Sequence, residues 1–374
     1  MKCYLDNAAT MPLSSEMKSY LISVLDVFGN PSSSHSEGVK SNKLIQDVRV
    51  KVAQFICANS YDNIYFTSSG SASNTLAIQG FVLNNRCKIY YLPTVHKSIL
   101  KTIDNLKESY DISVVPLKVD SCGCVDITYL KCHLCGTHTT PFVILDYANS
   151  EIGTIQNVKE IVDVVHKYRG KVLVDCTGSI SSIPLNVTEL NVDIATFSAH
   201  KIGALKGTGV LYKKDDVNLR PLVFGTQEQG LFAGTENLVG ILSLGKAIDL
   251  IKYDKTSYNR DFVWDNIKNI DGVFLVGALL DNNRLINNLY VCVQNVSGND
   301  IVAVMDDMYS TQISTGSACN NGEASPSSTL LAIGFDKENI NNCIRISFSG
   351  DENKEELQEF CRNFSTCVKM LRGF

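Results

Sequence analysis

The chain has 374 residues, 44% of them hydrophobic and 20% charged, with a formal net charge of −5. That length exceeds the ~250–300 residues at which single cores stop growing, so a large domain with a smaller companion is expected. The acidic balance argues against a nucleic-acid surface, and no stretch approaches the ~20 apolar residues of a membrane span.

Short β-rich runs alternate with amphipathic stretches, the pattern of an α/β domain around a mainly parallel sheet. In chain order, the opening Met1-Lys2-Cys3-Tyr4-Leu5-Asp6 lacks the apolar run of a secretory signal, so a cytoplasmic location is expected. Apolar residues at helical spacing predict a helix over 39–56, then a strand over 63–66, a small-residue turn from Thr67 to Ser71, and a helix over 73–83. Strands follow over 88–92, 112–115, 142–145 and 171–174, with a helix over 161–168 before the last of them. Strands over 194–197 and 209–212 complete a seven-stranded sheet. Beyond about residue 250 the texture changes. Strands over 286–293 and 344–348 and a closing helix over 354–371 predict a smaller α+β domain. The expected division is a large domain over 13–250 and a small one made of 1–12 and 251–374.

Thirteen cysteines, an odd number, argue against a disulfide framework. Cys122, Cys124, Cys132 and Cys135, with His138 nearby, are spaced loosely enough that coincidence is preferred over a zinc site, so no metal is expected.

Three strand ends carry candidate chemistry. Ser198-Ala199-His200-Lys201 follows an apolar run and offers a lysine amine as nucleophile, or else a surface lysine. Asp175 ends a second run and could hold a protonated ring nitrogen, or cap a turn. The segment from Phe66 to Asn74 reads as a strand, a small-residue turn and a helix start, whose exposed amides suit a phosphate. In this chain order the three suit a pyridoxal-phosphate enzyme of fold type I.

At this point the sequence resembles a known family, the cysteine desulfurases (NifS/IscS-like, class V aminotransferase superfamily). The matching blocks run over nearly the whole chain. They include Tyr4 to Thr10, Gly29-Asn30-Pro31-Ser32-Ser33 with His35, His96, and Ser150-Glu151-Ile152-Gly153. Asp175, Ser198 to Lys201, Gly234-Thr235-Glu236-Asn237, Ser317-Ala318-Cys319 and Arg345-Ile346-Ser347 continue the match.

The resemblance implies roles for single residues. Lys201 would hold pyridoxal 5'-phosphate and move the Cα proton, Asp175 would keep the ring nitrogen protonated, and His96 would stack on the ring. Gly70, Ser71, Ser198 and His200 would hold the phosphate, with Ser150 also at the cofactor. Thr235 would reach the phosphate of a neighbouring subunit, implying a homodimer. Arg345 would take the substrate carboxylate, with Asn149 beside it. Cys319, in the small-residue stretch from Ser314 to Gly322, would take sulfur from L-cysteine as a persulfide, leaving L-alanine. The sulfur would pass to an acceptor protein, a scaffold of iron–sulfur assembly or a thiolation enzyme.

Four positions depart from the family pattern. Gly178 stands where a glutamine is usual, Ser150 where an asparagine precedes Glu-Ile-Gly, Phe232 where an arginine is typical, and Val95 where a glutamate precedes the histidine. They leave open a relative acting on another amino acid, such as selenocysteine, and a low-activity subunit that needs a partner.

Overall fold

In the computed structural model, residues 3–253, 257–281, 283–316 and 326–373 are described. Cys319 lies outside them. The first strand, β1 (Cys3–Tyr4), pairs in parallel with a late strand, and the chain then enters a seven-stranded sheet. Its strands are β2 (Ile64–Thr67), β3 (Cys87–Tyr91), β4 (Val114–Pro116), β5 (Thr140–Asp146), β6 (Lys171–Asp175), β7 (Ile194–Ser198) and β8 (Gly209–Lys213). The order is β2-β8-β7-β6-β5-β3-β4. Only β8 runs against the rest: it is antiparallel to both β2 and β7, while every other pairing is parallel.

The strands form where the sequence is apolar on both faces. From Pro141 to Asp146 every residue of β5 is buried, as expected for a strand covered by helices on each side. The run expected over 112–115 shifts to Val114–Pro116. This is an edge strand, so Pro116, which has no N–H to donate, is tolerated there. The helix expected from residue 73 begins at Gly70 because the Ser69 side chain caps it, accepting from the Ala72 N–H. The helix Lys97–Ser109, unmarked in the sequence reading, buries Ile99, Ile103 and Leu106 at helical spacing.

A second core lies around β9 (Val273–Leu275), β10 (Asn288–Val293), β11 (Thr311–Gln312) and β12 (Cys343–Ser347). β10 is the centre of an antiparallel triplet between β12 and β9, and β11 is the partner of β1. The helix Lys354–Leu371 begins with a capping box between Asn353 and Glu356 and buries Leu357, Phe360, Phe364 and Val368 against this core. Cys3 and Leu5 pack there too, and Leu5 exchanges backbone hydrogen bonds with Gln312 and Ser347 at 2.8 Å each. Among the described residues, no helix is long and apolar enough to cross a membrane.

Candidate active site

Pairing brings the critical strand ends to one edge of the large sheet. Asp146 is in register with Asp175, Asp175 with Thr196, and Gly209 with both Ser198 and Thr67. Ligands of open α/β sheets collect at such carboxyl ends. Here a cavity of about 390 Å³ opens there, lined also by the second core's Arg345.

The turn after β2 delivers the N-terminus of the helix Gly70–Val82 to this cavity, with Gly70 and Ser71 in its wall. Gly70 N–H donates to Ser198 Oγ at 2.9 Å, tying the helix start to the end of β7. The two approach so closely that a Cβ on residue 70 would come within 2.4 Å of that oxygen. Gly209, in β8, is equally obliged: a Cβ there would meet the backbone of Ser69 at 2.3 Å.

Asp175 is 4% exposed and firmly held, with Oδ2 accepting from Asn74 Nδ2 at 2.8 Å and Oδ1 from the Thr177 N–H at 2.9 Å. Asn74 is itself oriented by Thr196, whose hydroxyl donates to its Oδ1, and its Nδ2 also reaches Ser98 Oγ at 3.2 Å. Ser98 continues the chain to His96 Nδ1 at 2.8 Å. Because that same nitrogen accepts from the Ser98 backbone N–H, the neutral ring carries its proton on Nε2. A line of polar contacts therefore connects the imidazole to the Asp175 carboxylate.

Lys201 lies on the short helical turn Ala199–Ile202 directly after β7, and its Nζ donates to the carbonyls of Ala8 and Ala9. His200 contacts Thr10 Oγ1 at 3.1 Å. Burial, then the charges of Lys201 and Lys206, push its pKa down to about 4, so it is neutral near pH 7. Arg345 donates through Nη2 to Asp6 at 2.8 Å and through Nη1 to the Ser150 carbonyl at 3.0 Å. Its Nε is buried with no partner among the described residues, and the residue lines the cavity.

Ten of the sequence candidates, Gly70, Ser71, His96, Asn149, Ser150, Asp175, Ser198, His200, Lys201 and Arg345, line this one cavity. Asn149 does so with its polar atoms committed inward. Its Nδ2 donates to Thr94 O and Asp146 Oδ2, and its Oδ1 accepts from the Glu151 and Ile152 N–H groups. It shapes the wall and has no spare N–H for a substrate. Thr235 is exposed on a loop and does not line the cavity. The cysteines from 122 to 135 do not converge: Cys132 and Cys135 are exposed, and no group of three or more metal-binding side chains forms among the described residues. Asp120 closes that turn by accepting from the Cys122 and Cys124 N–H groups.

Two residues were given no role by the sequence, although Asp6 lies in the block from Tyr4 to Thr10 and Asp146 opens a polar strand end, 146–150. Asp6 anchors Arg345 across 339 positions of sequence, a pairing no local pattern announces. Asp146 also lines the cavity, and its signal was present: like Asp175, it is an acid closing an apolar strand. Of the departures, Val95 is buried in the main core and Phe232 packs half-buried against it. Gly178 is sterically required, because a Cβ there would sit 2.6 Å from the Ala148 carbonyl oxygen. The backbone leading to Ser150 thus occupies the space a side chain at 178 would need. Gly178→Ala is expected to destabilise the protein by about 1–3 kcal/mol, read as a lower urea midpoint at unchanged m.

This geometry comes with a matching ancestry. The chain belongs to the class-V aminotransferase family, which it matches over residues 3–360. Within that family it is similar to the cysteine desulfurase IscS of Dictyoglomus turgidum, 36% identical over 382 residues covering 99% of this chain and 95% of that one. Among solved structures, a NifS-like protein superposes with a TM-score of 0.91 at 28% identity, covering 99% of this chain and 100% of that one. SspA in complex with cysteine superposes at 0.81 and 26% identity, covering 94% and 100%.

Proposed function

We propose that the chain is a pyridoxal-phosphate-dependent cysteine desulfurase, turning L-cysteine into L-alanine and leaving the sulfur as a persulfide on Cys319. The observation that carries this reading is the convergence of a helix N-terminus, a held carboxylate, a lysine and an arginine on one cavity. Relatives named cysteine desulfurase over the full chain support the substrate.

The cofactor fits the donor set. The cradle at Gly70 suits a phosphate, together with Ser71, Ser198 and His200. Asp175 retains lone pairs beyond the two bonds it accepts and would hold a ring nitrogen in its protonated form. His96 would cover the ring, and the Ser150 side of the wall would close it. The volume lies within the ~300–1,000 Å³ usual for small-molecule sites. Pyridoxal phosphate, when bound, supplies an electron sink that loosens the Cα proton and the Cβ–S bond of an amino acid.

This chain's residues do the rest. Arg345 takes the substrate carboxylate, its two end nitrogens oriented by the Ser150 carbonyl and Asp6. Lys201, at the end of a rigid strand, carries the proton that leaves Cα and returns to the product. The Cys319 thiolate attacks the substrate sulfur: an S–S bond forms, the C–S bond breaks, and its electron pair takes up a proton as alanine forms. The persulfide then serves a sulfur-acceptor protein.

The active form is a homodimer in this reading. Thr235 is exposed and set to complete the phosphate site of a second copy, and Leu25, Phe28 and Phe224 are large apolar side chains left in solvent by the single chain. The division into a large domain over 13–250 and a small one made of 1–12 and 251–374 is supported by separate hydrophobic cores around the two groups of strands.

The test is a visible absorption spectrum of purified protein, before and after L-cysteine, with alanine measured in the same sample. A visible cofactor band that moves on cysteine, with alanine formed by wild type and lost by more than ~100-fold in Cys319→Ala, is the expected result. No visible band after incubation with pyridoxal phosphate would defeat the reading.

A further inference from the structure

The cavity contains a second acid that the scheme above does not use. Asp146 closes β5 directly beside Asp175 on β6, in register with it, and parallel neighbours stand only about 4.8 Å apart. It is 6% exposed and lines the same cavity. Two neighbouring acids, both removed from water, resist ionising together, so one of them holds its proton well above the usual carboxylate range.

The hydrogen bonds say which one. Asp175 is equipped for charge, with a donor at each oxygen. Asp146 receives one side-chain bond, from Asn149 Nδ2 to Oδ2 at 3.2 Å, and help from its own backbone N–H, while its Oδ1 is buried without a partner among the described residues. The direction of the Asn149 bond is itself fixed. Asn149 Oδ1 accepts from two backbone N–H groups, Glu151 and Ile152, at 2.9 Å each, so the end facing Asp146 is the NH2. Asp146 Oδ2 is therefore an acceptor, and the proton belongs on Oδ1.

We propose that Asp146 is a proton-bearing positioning residue of this site, holding its proton on the buried Oδ1 beside the cavity while the negative charge of the acid pair stays on Asp175. Burial, and next the charge of Asp175, raise the Asp146 pKa to about 7. The other charged group acting on it is His96, from the turn after β3, which works in the opposite direction; Lys201 and Arg345 line the same cavity. In chemical terms the pair sets one anion and one neutral acid side by side at the end of the sheet where a ring would bind. The consequence for the cofactor rests on the proposed function; the protonation does not.

The experiment uses infrared difference spectroscopy on the cofactor-free full chain. A deuterium-sensitive carbonyl stretch of a protonated carboxylic acid is expected below neutral pH and is expected to vanish in Asp146→Asn. In wild type it should titrate away with a midpoint near pH 7. In Asp175→Asn, with the like charge gone, the midpoint should fall by about 1 unit or more. The linked stability has a definite sign. A carboxyl whose folded pKa is raised binds its proton more tightly when folded, so stability is lost as pH climbs from about 4 through about 7. That slope should flatten in Asp146→Asn. If wild type lacks the band near pH 5–6, or Asp146→Asn keeps it, the proposal is overturned, and the wild-type titration alone decides even if a variant misfolds. After loading with pyridoxal phosphate, the pH titration of the visible band should shift in Asp146→Asn. A protein that takes up no cofactor yet shows the infrared band would defeat the proposed function and leave the protonated Asp146 standing.

Discussion

Alanine release from L-cysteine is expected to fall by about 1,000-fold or more in Lys201→Ala, with the fold intact. The amine leaves β7 on a single turn, so its reach is set by the strand and not by a flexible loop. It bonds to the carbonyls of Ala8 and Ala9, a segment pinned to the second core where the Ala8 N–H donates to Ser347 Oγ at 2.9 Å. Truncation removes the amine proposed to carry the Cα proton and nothing that the core needs. Lys201→Arg should be no better, because a guanidinium keeps its proton at every accessible pH. Alanine quantified over time, with circular dichroism as the control for folding, checks both. A variant without the lysine that ran at the wild-type rate would remove Lys201 from the reaction.

The largest expected effect on stability lies away from the cavity, at Glu228. Arg49 and Glu228 form a two-pronged ion pair, with Nη1 to Oε2 at 2.8 Å and Nη2 to Oε1 at 2.7 Å. Their residues are only 5% and 7% exposed. The same carboxylate accepts from the Phe66 N–H at 2.8 Å, while Arg49 donates to the Ile64 carbonyl and lies over the Phe66 ring at 4.8 Å. The pair therefore fastens the helix Ser36–Phe55 and the segment leading to Thr235 onto β2, the strand that ends at the anion cradle. Glu228→Ala strands a guanidinium charge in the interior and is expected to cost about 3–5 kcal/mol, measured as a lower denaturant midpoint. Arg49→Met combined with Glu228→Leu should recover much of that loss, since the main penalty is the unpaired charge and not the missing attraction. If the single variant unfolds at the wild-type midpoint, the pair is not a stability element.

The strands of the large sheet were legible because a run buried on both faces is mostly apolar, as Phe142–Leu145 of β5, Val172–Val174 of β6 and much of β7 are. Strand-end chemistry was legible for a related reason. A lysine or an acid stands out after such a run, as Lys201 and Asp175 do. Edges were less clear: β4 moved onto Pro116, and the helix at Gly70 started earlier than its apolar spacing implied. Both shifts follow from backbone hydrogen bonding, which hydrophobic periodicity does not report.

By itself, then, the sequence determined the class of fold, the kind of chemistry and most of the residues around the cavity, because burial and strand ends leave marks in local composition. Tertiary structure alone decided how those residues act on one another. Register made Asp146 the neighbour of Asp175, and hydrogen bonds from other segments decide which of the two is proposed to hold a proton. Pairing across 339 residues gave Arg345 its Asp6 and left Nε buried without a partner among the described residues. Close approach of the Ala148 backbone made residue 178 a glycine, and two backbone N–H groups turned Asn149 inward. Each of these depends on distances between segments far apart in the chain, and a pKa or a donor's direction is a property of that neighbourhood and not of the residue type.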